Sequence, residues 1–201
     1  VAQGQVPYRD FFFAHPPLQI YAYAAVFKLF GFNLLLLKLL SAVAVVITAA
    51  FVFAIVKEKL NFKIAAAAMM LFLFSYGTML FSNFPTGAEF ATAFTTAALY
   101  FFIRKRCLAS GALIGLAAAT SLLGAITLPV LAAAAVLFLK DKKALTRLLI
   151  GFAAVFVAVN GLFLLVAKGE FVEQAYLYHL KKPAEDADKA AIFLRVIKTN
   201  M

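Results

Sequence analysis

Residues 108–139 read LASGALIGLAAATSLLGAITLPVLAAAAVLFL, 32 positions without a charged side chain. At 1.5 Å per residue a single helix of that length measures roughly 48 Å against a hydrocarbon core of about 30 Å, too long for one ordinary crossing and short for two. Basic clusters bracket the run, Arg104-Lys105-Arg106 before it and Lys140, Lys142, Lys143 and Arg147 after it. Cytoplasmic loops collect Lys and Arg, so both flanks belong on one side and the run must go in and return. Thr120-Ser121, with Gly124 just beyond, marks the turn. The stretch therefore reads as a tight, half-penetrating hairpin with arms at about 108–119 and 122–139.

Outward from this hairpin the same logic continues. A third cluster, Lys57, Lys59 and Lys63, belongs on the cytoplasmic side if 64–81 runs out and 86–103 returns. Four segments, 34–56, 64–81, 86–103 and 148–167, are long enough to cross alone, at roughly 27 to 34 Å. The stretch 17–30 opens on Pro16-Pro17 and stops at Gly31, which suits a helix of roughly 21 Å. It is too short to span, and Gln19 and Lys28 fall on opposite sides of its wheel, so it is expected to lie at the membrane surface against protein. The expected fold class is all-α: a polytopic helical membrane protein with about six membrane segments plus short interfacial helices. Three regions follow, an outer loop with a juxtamembrane helix (1–33), a transmembrane core (34–167) and an outer interfacial segment (168–201).

Composition agrees. Of 201 residues 65% are apolar, which excludes a soluble monomer, since soluble domains hold roughly 45–50%. The net charge of +10 would suggest nucleic acid in a soluble chain; here it reports sidedness, and no nucleic-acid partner is expected. The three clusters give the inner side a net +8, against +2 outside, where seven of the nine carboxylates fall. The lone Cys107 excludes an internal disulfide and a cysteine metal cluster. The chain starts at Val1 with polar residues and no leading anchor, and is expected to be a piece of a longer protein.

Several outer residues could carry chemistry. Residues 7–17, PYRDFFFAHPP, place Arg9, Asp10 and His15 within seven positions among aromatics. A site for a lipid-linked phosphate needs a carboxylate to accept a proton or bind metal, and cations for the phosphate. An equally simple reading pairs Arg9 with Asp10, inserts the three Phe at the interface and uses His15 to cap the short helix. Glu89 also has two readings, since Thr86-Gly87-Ala88-Glu89 is a capping box and Glu89 is an outer carboxylate. Residues 170–182 fit an interfacial helix with Tyr176 and Tyr178 at headgroup level and Lys181 and Lys182 near lipid phosphates, or a plain basic anchor. Gly111 and Gly115 form a GxxxG spacing that admits a close helix, or reflect the frequency of glycine in membrane helices. Lys38 lies about a turn from the outer end of its helix and can snorkel.

The order of these pieces resembles the first outer loop and following helices of polytopic GT-C glycosyltransferases, among them the protein mannosyltransferase and aminoarabinose transferase families. The residues that carry the resemblance are Gly4 to Phe12 (GQVPYRDFF), His15-Pro16-Pro17-Leu18, Lys28-Leu29-Phe30-Gly31, Pro85 to Glu89 (PTGAE), Leu99 to Phe102 (LYFF), Gly111 to Ala118 (GALIGLAA) and Tyr178 to Pro183 (YHLKKP). The resemblance implies transfer of a sugar from a polyprenyl-phosphate carrier to an acceptor hydroxyl on the non-cytoplasmic face, with inversion at the anomeric carbon. It implies Asp10 and Glu89 as the outer carboxylates, able to hold a divalent metal such as Mg or Mn. Arg9, His15, Tyr178, His179, Lys181 and Lys182 would be substrate contacts. It also implies that the family's principal acidic motif lies upstream of Val1; Asp10 matches a second, more variable acidic position, His15 stands where some relatives carry lysine, and Ala14 where some are acidic. The expected partners are a polyprenyl-phosphate sugar and membrane lipids.

Two other classes compete with this reading. A transporter or flippase is disfavoured, because such proteins keep ionisable or broken-helix sites at mid-membrane, whereas the charges here lie outside. A non-catalytic membrane subunit fits a chain without the principal acidic motif.

Overall fold

Local chemistry sets the element boundaries. The computed structural model describes residues 1–81 and 86–178. Helix α1 (Leu18–Phe30) starts behind Pro17 and ends at Gly31, whose φ of 77° lets its amide return to the Phe27 carbonyl. Helix α2 (Leu34–Lys59) is capped by Asn33, which accepts from the Leu35 amide, and α3 (Phe62–Leu73) by Asn61, which accepts from the Ile64 amide. The segment 64–81, read as one crossing, is interrupted. After Phe74 the Ser75 hydroxyl donates to the Phe72 carbonyl and accepts from the Thr78 amide, so α4 (Tyr76–Phe81) starts afresh.

Helix α5 (Ala88–Ile103) follows Gly87, which is left-handed at φ 83°. Helix α6 (Cys107–Thr120) stops where the turn was expected, at Ser121 in extended conformation. A 3₁₀ turn (Leu122–Ile126), α7 (Thr127–Ala134) and a π turn (Ala135–Leu139) make up the returning arm. Helix α8 (Lys142–Val172) is capped by Asp141 and runs on through a π turn (Glu173–Leu177), with a kink at Lys168 (φ 48°). Among the described elements all the regular structure is helical.

Three stretches are long and apolar enough to cross a membrane, Leu34–Lys59, Leu122–Leu139 and Lys142–Leu177, and α1, α3, α5 and α6 are shorter apolar helices. The packing is that of a membrane protein, with small residues inside and large ones outside. Ala65, Ala98, Ala117, Ala119 and Ala135 are fully enclosed while Leu71, Phe138 and Leu165 are more than three-quarters exposed. Lipid tails are as apolar as leucine, so helices gain by close approach rather than by hiding large side chains.

Helix α6 sits between α5 and α8. Its GxxxG spacing is used: a Cβ on Gly111 would land on the Leu148 carbonyl and 2.8 Å from the Phe152 nitrogen, and one on Gly115 would lie 2.9 Å from Val155. Gly151 of α8 answers, since a Cβ there would meet the Leu108 carbonyl and the Ala112 nitrogen. At Gly124 a Cβ would lie 2.6 Å from the Ala117 carbonyl, so the returning arm folds tightly on α6.

The three basic clusters gather at one end. Arg104 pairs with Glu58 at 3.0 Å, joining the α2–α3 turn to the α5–α6 corner. Lys105 and Arg147 line one cavity, joining that corner to the start of α8. Residues 1–17 lie at the opposite end, packed on the far part of α8 through Tyr8, Phe163 and Phe171.

Candidate active site

The aromatic loop docks through a tyrosine. Tyr8 stands at φ 70°, a strained conformation for a bulky residue, and is 2% exposed. Its ring meets Phe13, Phe163 and Phe171, and its hydroxyl donates to the His15 carbonyl at 2.6 Å. Burial, first, pushes its phenol well above the usual range. Gln174 clasps the loop from α8's continuation: its Oε1 accepts from the Phe13 amide and its Nε2 donates to the Tyr8 carbonyl, both at 3.0 Å. Removing both bonds with Gln174→Ala leaves two half-buried backbone groups without these partners, at about 1–3 kcal/mol. Trypsin cleavage after the exposed Arg9 is then expected to quicken about tenfold or more, because cleavage follows the population of the opened loop. An unchanged rate would mean that Gln174 does not hold the loop.

Arg9 and Asp10 pair, with Nε 2.8 Å and Nη2 3.0 Å from the carboxylate, which also accepts from the Val6 amide at 2.7 Å. The Arg9 guanidinium, then that amide, hold the Asp10 carboxyl down at about 2. A carboxyl lowered in the folded loop contributes order that is complete above its ordinary value of 3.8 and is lost as pH falls through about 2. A carbon-13 titration is expected to place the Asp10 midpoint near 2. A midpoint of 3.8 would mean that the pair is open in solution.

Glu89 occupies a different place. It opens α5, is 5% exposed, and its Oε1 accepts from the Ser41 hydroxyl of α2 at 2.7 Å and from the Tyr23 hydroxyl of α1 at 3.1 Å. Thr86 stands 3.5 Å from Oε2. The capping-box geometry is not formed: Gly87 is the N-cap, and the carboxylate turns to side chains of other helices. Buried Gln19 packs beneath Gly87, where any Cβ would overlap its amide. Glu89 lines a cavity of about 200 Å³ with Thr48, Thr78 and Thr92. Tyr23 lines a second, apolar cavity of about 660 Å³ with Ile20, Phe27, Lys28, Phe32 and Leu37. The Tyr23–Glu89–Ser41 cluster thus stands between the two cavities.

Of the expected site residues, the structure joins Arg9 to Asp10, sets His15 beside Phe13 and brings Tyr178 onto Phe12 with ring centroids 5.1 Å apart. His179, Lys181 and Lys182 lie outside the described residues. No hydrogen bond or ion pair links Asp10 to Glu89 among the described residues, and no three His, Cys, Asp or Glu there stand close enough to bind a metal ion. Sequence reasoning did not single out Ser41, Tyr23 or Gln174 as site residues. Ser41 had one signal, a lone hydroxyl in an otherwise apolar turn, and Gln174 had none beyond its polarity.

A family profile described as dolichyl-phosphate-mannose-protein mannosyltransferase matches residues 14–167. The chain belongs to this mannosyltransferase family. Membership places it among membrane glycosyltransferases whose donor is a polyprenyl-phosphate-linked sugar. The family match takes in His15, Tyr23, Ser41 and Glu89, while Arg9, Asp10, Gln174 and Tyr178 fall outside it. A search of curated proteins and of solved structures finds no significant match.

Proposed function

We propose that this chain carries part of the site of an inverting glycosyltransferase that moves a sugar from a polyprenyl-phosphate carrier to an acceptor hydroxyl on the non-cytoplasmic face. The observation that carries the reading is the buried Glu89 carboxylate, held by Tyr23 and Ser41 and opening on a cavity that also takes in Thr48, Thr78 and Thr92, at the end of the bundle away from the basic clusters. Glu89 takes the proton of the acceptor hydroxyl. The acceptor oxygen bonds to the anomeric carbon from the face opposite the phosphate, the carbon–oxygen bond to the phosphate breaks, and polyprenyl phosphate leaves with its electron pair. The apolar cavity between α1 and α2, with Lys28 at its edge, suits the carrier. Asp10, whose carboxyl sits too low to be a good base, orients Arg9 toward the departing phosphate. His15 and, beyond the described residues, His179, Lys181 and Lys182 add phosphate contacts.

The test uses the full-length protein with a labelled polyprenyl-phosphate mannose and follows released carrier and labelled acceptor. Transfer is expected, and Asp10→Asn is expected to lower it about tenfold or more by freeing Arg9. Unchanged transfer would remove Asp10 from the site. Passage of the donor across vesicles without cleavage would overturn the reading.

A further inference from the structure

At the basic end of the bundle the α5–α6 and α7–α8 corners enclose a cavity of about 210 Å³ lined by Lys105, Cys107, Leu139, Asp141, Ala144 and Arg147. That is several times the roughly 30 Å³ share of one liquid water. The ion pairs among the described residues are Arg9–Asp10 and Arg104–Glu58, so neither Lys105 nor Arg147 has a carboxylate partner. Asp141 is occupied otherwise, its Oδ1 accepting the Lys143 amide at 2.8 Å as the cap of α8. Both corners hold a lysine in the left-handed region, Lys105 at φ 59° and Lys140 at φ 50°. The first turn of α6, beginning at Cys107, has no side-chain cap, so its amide donors add to the field of the two cations. Leu137 and Phe138, just before this corner, are largely exposed where acyl chains would run.

We propose that this cavity binds a phosphate group, with Lys105 and Arg147 as its cations and an anionic phospholipid headgroup as the favoured source over free phosphate. Basic pockets between membrane helices bind such headgroups because the phosphate meets fixed charge at the depth where the acyl chains meet apolar side chains. The site is far from Glu89 and independent of the transfer reaction.

The test titrates the detergent-solubilised full chain with short-chain phosphatidylglycerol, phosphatidylcholine and inorganic phosphate, reading bound probe by native mass spectrometry and the thermal midpoint. Phosphatidylglycerol is expected to bind and raise the midpoint, and phosphatidylcholine is not. Inorganic phosphate binding as well as phosphatidylglycerol would assign the site to free phosphate. Lys105→Ala with Arg147→Ala is expected to weaken phosphatidylglycerol binding about 30-fold. Asp141→Asn, which keeps a cap acceptor, is expected to tighten it about fivefold. Lys57→Ala with Lys59→Ala removes the same charge elsewhere and is expected to leave affinity within about twofold. Equal weakening by that control, unchanged affinity in Asp141→Asn, or no binding by either anionic probe would overturn the proposal.

Discussion

Glutamine in place of Glu89 is expected to lower sugar transfer by the full-length protein by about 10²- to 10⁴-fold, the range of a lost general base. Glutamine keeps the shape of the side chain and a carbonyl oxygen for the Ser41 and Tyr23 hydroxyls, so the junction of α1, α2 and α5 is expected to stay formed. Alanine at the same position acts on stability as well. It strands the buried Ser41 hydroxyl, 48 residues away in the chain, at about 1–3 kcal/mol, and takes an acceptor from the half-buried Tyr23 hydroxyl, 66 residues away. The pair of variants separates the roles: Glu89→Gln is expected to lose transfer at a near-native thermal midpoint, and Glu89→Ala to lose both. Full transfer by Glu89→Gln would leave this carboxylate a purely structural junction.

Valine at Gly111 is expected to be the most damaging single change to the fold. A Cβ there lands on the Leu148 carbonyl and beside the Phe152 nitrogen, and backbone cannot rotate aside as a side chain can. Overpacking against flexible neighbours costs about 1–3 kcal/mol, and against a facing helix backbone the cost is about 3 kcal/mol or more. Gly151→Val, which faces the Leu108 carbonyl from the other helix, is expected to do the same. Gly161 is the control, because nothing lies within 4 Å of a Cβ at that position. Alanine there is expected to change stability by about 1 kcal/mol at most, in the favourable direction. Cys107 supplies the readout, being the lone cysteine of the chain and 2% exposed. Its labelling by a thiol dye is expected to be slow in the parent and in Gly161→Ala and fast in Gly111→Val. Slow labelling in Gly111→Val would mean that α6 and α8 are not held this closely.

The features legible in the sequence are those that depend on near neighbours. The stop at Gly31 and the break at Thr120–Ser121 each follow from the conformation of one or two residues. The interruption at Ser75 could have been read in the same way, but a hydrophobic window of 18 residues averages over it. Charge, being long-ranged, groups the three basic clusters without reference to any contact, and the structure brings them to one end. The GxxxG spacing announces a close helix without naming it; the tertiary structure supplies α8, with Gly151 facing Leu108.

Length, apolar run and charge asymmetry were enough for an all-helical membrane protein with basic corners, because burying backbone in lipid leaves a helix few alternatives. Tertiary structure alone decided which groups the Glu89 carboxylate meets. Its capping box is a valid local solution, yet the carboxylate turns to Ser41 and Tyr23, partners that the crossing of α1 and α2 brings within reach. The same holds for Gln174, which meets Phe13 across 161 residues and Tyr8 across 166. Such contacts depend on how helices cross, and helix crossing is set by small residues and side-chain interdigitation along whole faces rather than by any short motif.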